Sequence, residues 1–186
     1  MHPDESDPMS LVFPADPASH ADVQIRPATA ADAVAIAEIW RGGWRDAHLG
    51  HVPDALVTAR TPESFARRSR ERIGDTIVAT RADEVVGFAM TQGDEIDQLY
   101  TGPAARGTGI GGCLLAAAER AARHTTGRSA WLAVATGNAP ARRFYARQGW
   151  TDEGRFAHAA PVPGGTVQVD CHRFRAPSAA AETATN

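Results

Sequence analysis

Leu99-Tyr100-Thr101-Gly102-Pro103-Ala104-Ala105-Arg106-Gly107-Thr108-Gly109-Ile110-Gly111 decides the reading of this chain. An extended segment over Glu95 to Thr101 ends in a Pro-containing turn, and a run with helical spacing opens at Gly109. Glycines at such a junction leave main-chain N–H groups bare and let a ligand come close to the backbone. The N-terminus of the helix adds partial positive charge. Amides and dipole together make an anion site, most often one for a diphosphate.

Of two nucleotide-binding alternatives, one fits the residues poorly and the other fails on them. Gly107, Gly109 and Gly112 fit G-x-G-x-x-G, but a dinucleotide site should open an early βαβ unit. It also needs an acidic residue roughly 20 positions on, near the end of the next strand. This loop sits mid-chain, and no Asp or Glu closes the following strand pattern, Ala130 to Thr136. A P-loop requires Gly-Lys-Ser/Thr, and the chain contains no lysine. The same absence removes Schiff-base and pyridoxal chemistry. The plain reading, a glycine-rich connection without a ligand, is weakened by the length of the match and its strand–turn–helix setting.

With Arg106 the loop reads Arg-x-x-Gly-x-Gly and resembles the coenzyme A diphosphate loop of the GNAT superfamily of acyl-CoA N-acyltransferases. A second block, Asn138-Ala139-Pro140-Ala141-Arg142-Arg143-Phe144-Tyr145-Ala146-Arg147-Gln148-Gly149-Trp150, is similar to the family's Asn-x-x-Ala-x-x-Phe-Tyr-x-x-x-Gly-Phe pattern, with Trp150 in place of Phe. The two blocks stand in family order, and the resemblance runs from about Asp22 to Arg175.

Val23 to Arg26 alternates as a first strand, and Thr29 with Asp32 has the spacing of a capping box. The helix that follows carries Ile36, Ile39, Trp40, Gly43, Trp44 and Ala47 on one stripe. Thr61-Pro62 starts a second helix that stops at Gly74. Strands are predicted at Thr76–Thr80, Val85–Met90 and Glu95–Thr101, then a helix over Gly109–His124 burying Ile110, Leu114, Leu115 and Ala118. A strand at Ala130–Thr136, a helix at Asn138–Gln148, and strands at Trp150–Phe156 and Val167–Phe174 complete the list. The last two strands are joined by a Pro/Gly loop around Pro161 to Gly165. The order, β-α-α-β-β-β-α-β-α-β-β, is that of the GNAT fold. The resemblance therefore implies an α/β domain: a mixed, mostly antiparallel sheet of six to seven strands with helices on both faces.

The 186 residues suit one domain. Residues 1–20, rich in Pro, Asp and Ser, are expected to be disordered, residues 21–175 to form the domain, and residues 176–186 to be a loose tail. A formal net charge of −3 implies no nucleic-acid partner. Arg67, Arg68, Arg70 and Arg72, alternating with Glu63 and Glu71, read as a solvated helix face. Cys113 and Cys171 have neither disulfide-framework nor metal-ligand spacing, so no metal is expected. No apolar run reaches membrane-spanning length and no signal peptide is visible, which predicts a cytoplasmic protein with no membrane partner.

The resemblance implies direct transfer of an acetyl group from acetyl-CoA to a primary amine, with a small-molecule amine as the first reading. A protein N-terminus or lysine is the alternative acceptor, and a non-catalytic CoA-binding sensor is the alternative class. A homodimer is compatible with either. The coenzyme is expected against Leu99, Tyr100 and Thr101, where the family splays two strands. It should continue over Arg106, Gly107, Thr108, Gly109, Ile110 and Gly111, and along Asn138, Ala141 and Phe144. Arg106 can equally project to solvent, and Asn138 can equally cap its helix.

The amine must lose a proton before it attacks, since an alkylammonium has a pKa near ~10. Glu95 is the first candidate base and Asp97 the second. By simple alternation Glu95, Asp97, Leu99 and Thr101 share one strand face. Either carboxylate can instead serve only to attract a cation. Tyr145 is the candidate acid for the departing thiolate, its phenol being matched in pKa; its plain alternative is a core aromatic. Trp44, His48 and His51 lie where the family builds its acceptor pocket. With the two carboxylates nearby, an acidic, aromatic pocket for a small cationic amine is expected.

Overall fold

Strand β1 (Val23–Pro27) is fastened to helix α1 (Ala33–His48) by one carboxylate. Asp32 accepts the Thr29 N–H at 2.7 Å and the Thr29 hydroxyl at 3.0 Å, as the capping-box spacing predicted. The Arg26 guanidinium binds both of its oxygens, at 2.8 and 2.9 Å. The structure, a computed structural model, describes residues 22–178. The segment 1–20 and most of the expected tail lie outside the described residues.

Further elements follow in the predicted order, with one addition. Helix α2 (Asp54–Ala59) precedes α3 (Pro62–Glu71); at six residues it is too short to show a hydrophobic period. Strands β2 (Thr76–Arg81), β3 (Glu84–Gln92) and β4 (Glu95–Thr101) lead to α4 (Ile110–Thr126). Then come β5 (Trp131–Ala135), α5 (Ala139–Arg147), β6 (Thr151–Val162) and β7 (Gly165–Arg175). The last pair is longer than the sequence reading, because beyond a bulge between Asp152 and Arg155 its register runs on to Val162 opposite Gly165. Only Pro163 and Gly164 are left to turn. Ala176 extends the pairing of β7 with β5, its N–H donating to Ala130 O at 2.9 Å.

The seven strands form one sheet in the order β1-β2-β3-β4-β5-β7-β6. Every neighbouring pair is antiparallel except β4 and β5, which are parallel and in register only at Glu95 opposite Trp131. Helices cover both faces. On one, α1 buries Ile36, Trp40 and Trp44 with Phe65 of α3 against Phe88 and Met90 of β3. Trp40 meets Phe65 edge-on at 5.5 Å between centroids. On the other, α4 presents Leu115, Ala118 and Ala122 to Ala89, Ile96 and Leu132, and Ile110 and Leu114 to Ala79. Each large side chain moved out of water there contributes roughly 1.5–3 kcal/mol.

Asp32 is buried, and its partners hold its carboxyl well below the usual carboxylate range. Its stabilising effect is therefore present above the unfolded pKa of ~4 and fades as pH falls below it. Asp32→Ala should lower stability by about 1–2 kcal/mol at pH 7. In urea denaturation the difference from the parent should shrink as pH drops through ~4.

Candidate active site

Because β4 and β5 touch only at their starts, they diverge toward Thr101 and Ala135 and leave a wedge-shaped opening in the sheet. Gly102 N–H donates to Val86 O at 2.8 Å. In an antiparallel ladder N–H directions alternate, so Leu99 and Thr101 turn theirs toward the opening. Past the wedge, Thr108 closes the turn by donating its hydroxyl to Ala105 O at 2.7 Å. Gly109 then caps α4 at φ 86°, a left-handed conformation that favours glycine. Among the described residues, the N–H groups of Gly107, Gly109, Ile110 and Gly111 have no protein acceptor. Four main-chain donors thus converge at the positive end of a 17-residue helix.

The alternation expected along β4 does not hold. Its register with β3 jumps from Met90–Gln98 to Thr91–Ile96, so Asp97 is the extra residue of a β-bulge. Leu99 consequently packs toward α4, on the same side as Ile96, while Tyr100 packs toward α1. Glu95 and Asp97 do not share a face with Leu99 and Thr101; they turn to the α1–α3 side. There Arg72, the C-cap of α3, binds Asp97 Oδ2 at 3.0 Å and Thr91 O at 2.9 Å, while Gln98 donates to Asp97 Oδ1. Glu95 has no ion-pair partner among the described residues. Burial, and then the charge of Asp97, push its carboxyl up to about 7.

On that side lies an inner cavity of about 140 Å³. Trp44 and His48 form part of its wall. Their rings stack at 4.9 Å, and His48 Nδ1–H donates to Trp44 O at 3.0 Å. Burial lowers the His48 pKa, which keeps the ring neutral. His51 is not on the wall: its ring lies against Gly137, where any Cβ would collide with it. Nor is the cavity acidic. Arg60 and Arg68 line it together with Glu95, and Asp97 is already neutralised by Arg72.

Of the four arginines read as a solvated face, only Arg67 and Arg70 stand in water. Arg67 pairs with Glu71 across one turn. Arg68 and Arg72 continue the buried stripe of Phe65 and Ser69, a spacing of i, i+3, i+4 and i+7 that marks the inward side. That stripe was the available signal for them. Arg60 and His158, which also face the cavity, carried no signal in the sequence.

An outer groove of about 870 Å³ runs between α4 and α5, lined by Gly107, Gly109 and Gly111 among the four residues with bare amides. Gly111 faces Phe144 across it, a Cβ there falling 3.5 Å from the ring. Arg106 flanks it, but its guanidinium is held by Asp46 of α1 at 2.8 Å. Groove and cavity meet where Leu99, Tyr100, Asn138, Ala141 and Tyr145 line both. Asn138 caps α5, accepting Ala141 N–H at 3.1 Å on Oδ1. Tyr145 is packed among Phe144, Trp150 and Phe174 at 5.1–6.1 Å between centroids. Its hydroxyl has no protein partner among the described residues, and burial raises its pKa above the usual phenol value. It is therefore protonated and able to donate at neutral pH. Among the described residues no three His, Cys, Asp or Glu side chains gather as a metal site, and no helix is long and apolar enough to cross a membrane.

The model of the acetyltransferase (GNAT) family matches residues 34–150. No curated protein matches the sequence. Among solved structures, a GCN5-related N-acetyltransferase from Rhodopseudomonas palustris is similar at TM-score 0.63 and 24% identity, over 83% of this chain and 95% of that one. A phosphinothricin acetyltransferase from Sinorhizobium meliloti, in complex with acetyl-CoA, is similar at TM-score 0.62 and 21% identity, over 84% and 88%. A ribosomal-protein-alanine N-acetyltransferase from Brucella melitensis is similar at TM-score 0.60 and 25% identity, over 82% and 98%.

Tyr100, at the junction, can take its place only because α1 has no side chain at Gly43; a Cβ there would overlap the Tyr100 ring. Gly43→Ala should destabilise the protein by about 1–3 kcal/mol through overpacking. A double-mutant cycle with Tyr100→Ala in thermal melts should recover a large part of that loss.

Proposed function

This chain belongs to the acetyltransferase (GNAT) family and is an acyl-CoA-dependent N-acetyltransferase; from that premise we propose that it moves the acetyl group of acetyl-CoA onto the primary amine of a small molecule, by direct attack in a ternary complex. The observation that carries this reading is the set of four bare amides at Gly107, Gly109, Ile110 and Gly111, where the three glycines line a groove that meets an inner cavity at Tyr145. The amides suit the pyrophosphate of the donor. With Arg106 engaged by Asp46, the main chain rather than a side chain supplies most of that grip. The Leu99 and Thr101 N–H groups suit the amide-bearing arm of the coenzyme and polarisation of its thioester carbonyl. The cavity volume of about 140 Å³ favours a small acceptor: a cavity of ~150 Å³ holds a benzene ring.

In this scheme Glu95 takes the first proton from the acceptor ammonium. Its carboxyl, at about 7, is a far better base than an ordinary carboxylate. Asp97 serves it indirectly, its oxygens being bound by Arg72 and Gln98. The freed nitrogen attacks the thioester carbon, the C–N bond forms and the C–S bond breaks. Tyr145 gives its proton to the departing sulfur, and the nitrogen's second proton returns to the phenolate so formed, which restores the Tyr145 hydroxyl. A phenol held protonated by burial is suited to that task.

Calorimetry with acetyl-CoA and coenzyme A tests the donor site, and coenzyme A release over an amine panel tests the transfer. Tyr145→Phe should lower kcat by ~10²-fold or more with the KM for acetyl-CoA nearly unchanged. A base must be deprotonated to act, so kcat/KM should climb as pH rises through about 7. Glu95→Gln should flatten that limb. Turnover of peptide amines alone would replace the small-molecule acceptor by a protein.

A further inference from the structure

The inner cavity contains two guanidinium groups that the transfer chemistry leaves unused. Arg60 follows α2, and Arg68 sits on the inward stripe of α3; both line the cavity. Arg60 donates through Nη1 to Pro161 O of β6 at 3.0 Å, which pins it in place. Its Nε is buried and has no partner among the described residues. Arg68 lies over the Trp40 ring, 4.5 Å from the centroid, a contact that orients it without using its N–H donors. Neither forms an ion pair among the described residues, and the carboxylate whose charge both feel, Asp97, is bound by Arg72. The histidines on the wall, His48 and His158, are driven toward their neutral forms by burial and add no further positive charge.

A half-buried cation without a counter-ion is unfavourable, and burial already pulls the Arg60 pKa down to about 10. Planar guanidinium forks match oxyanions with paired N–H donors. The cavity is therefore bipolar, with Arg60 and Arg68 on its α2–α3 wall and Glu95 on its β4 wall.

We infer that the acceptor is a small zwitterion, a primary amine carrying an oxyanion, whose anionic group is held by Arg60 and Arg68 while its nitrogen faces the β4 wall. This rests on the acetyl-transfer reading of the same site and narrows its substrate class. The cavity size limits the molecule to that of a small amino acid or its phosphonate counterpart.

Matched compounds test it. Valine, isobutylamine and 1-amino-2-methylpropylphosphonate share one side chain and differ only in the anion. Methionine and 3-methylthiopropylamine form a second pair. Coenzyme A release should give kcat/KM about 10–100-fold higher for the anionic member than for the plain amine, the scale of hydrogen bonds to a charged group. The carboxylate-to-phosphonate ratio identifies which oxyanion fits. Arg60→Gln and Arg68→Gln should each pull the acid-to-amine ratio toward one, mainly through the KM of the acid, and Arg68→Lys should retain more of it than Arg68→Gln. A second measurement needs no variant: with coenzyme A bound, N-acetylvaline should bind the parent protein more tightly than its methylamide does.

The inference is overturned by a parent ratio at or below one, or by a ratio that survives in both Gln variants. Equal binding of N-acetylvaline and its amide would overturn it too, as would no turnover of any member by protein that binds acetyl-CoA. Failure to bind acetyl-CoA at all would instead sink the acetyl-transfer reading beneath it.

Discussion

The parting of β4 and β5 is the constraint on which the rest of the molecule depends. A single register pair, Glu95 with Trp131, joins two parallel strands that then separate. Sheet pairing normally consumes strand N–H groups, so a gap in the middle of a sheet leaves donors that need another partner. The gap is held open because both strands are secured on their far sides, β4 by β3 and β5 by β7. Helices then close the two faces without filling the wedge. The outer groove and the inner cavity are its two sides, and they communicate at Tyr145.

The extra residue at Asp97 determines which side chains reach which face. Without the bulge, Glu95 would stand on the face of Leu99 and Thr101, toward α4. With it, Glu95 is turned to the cavity, and Asp97 reaches Arg72, the C-cap of α3. Burial on that side, and then the charge of Asp97, lift the Glu95 pKa toward neutrality. Positioning and tuning thus have a common cause. The neighbouring arginines follow from the same packing, because α3 must bury Phe65 and Ser69. Residues 68 and 72 on that stripe are carried inward with them.

Much of this was legible in the residues. Thr29 and Asp32 announced their cap, Pro62 its helix start, and the glycines from 107 to 111 an anion-binding turn, since each acts through bonds or dihedrals within a few positions. Asn138 and Tyr145 stood in a block that fixed both a helix and its place after the loop. The six-residue α2 was not legible, being shorter than two turns. The inward course of Arg68 and Arg72 was misread because charge alternation resembles a wetted surface until a sheet is laid against it. Arg60 carried no local mark at all; its surroundings come from α3 and from β6, a hundred positions away.

The sequence by itself determined the order of the elements, the strand–turn–helix that presents bare amides, and the family to which such a loop and the Asn138–Trp150 block point. These are short-range properties, set by backbone freedom, capping and hydrophobic period. Only the tertiary structure decided the charge of the inner cavity, the face that Glu95 occupies and the partner that Arg106 takes. Each of those depends on a pairing register or on contacts between residues distant in the chain, and a slip of one residue in a strand reverses every side chain beyond it.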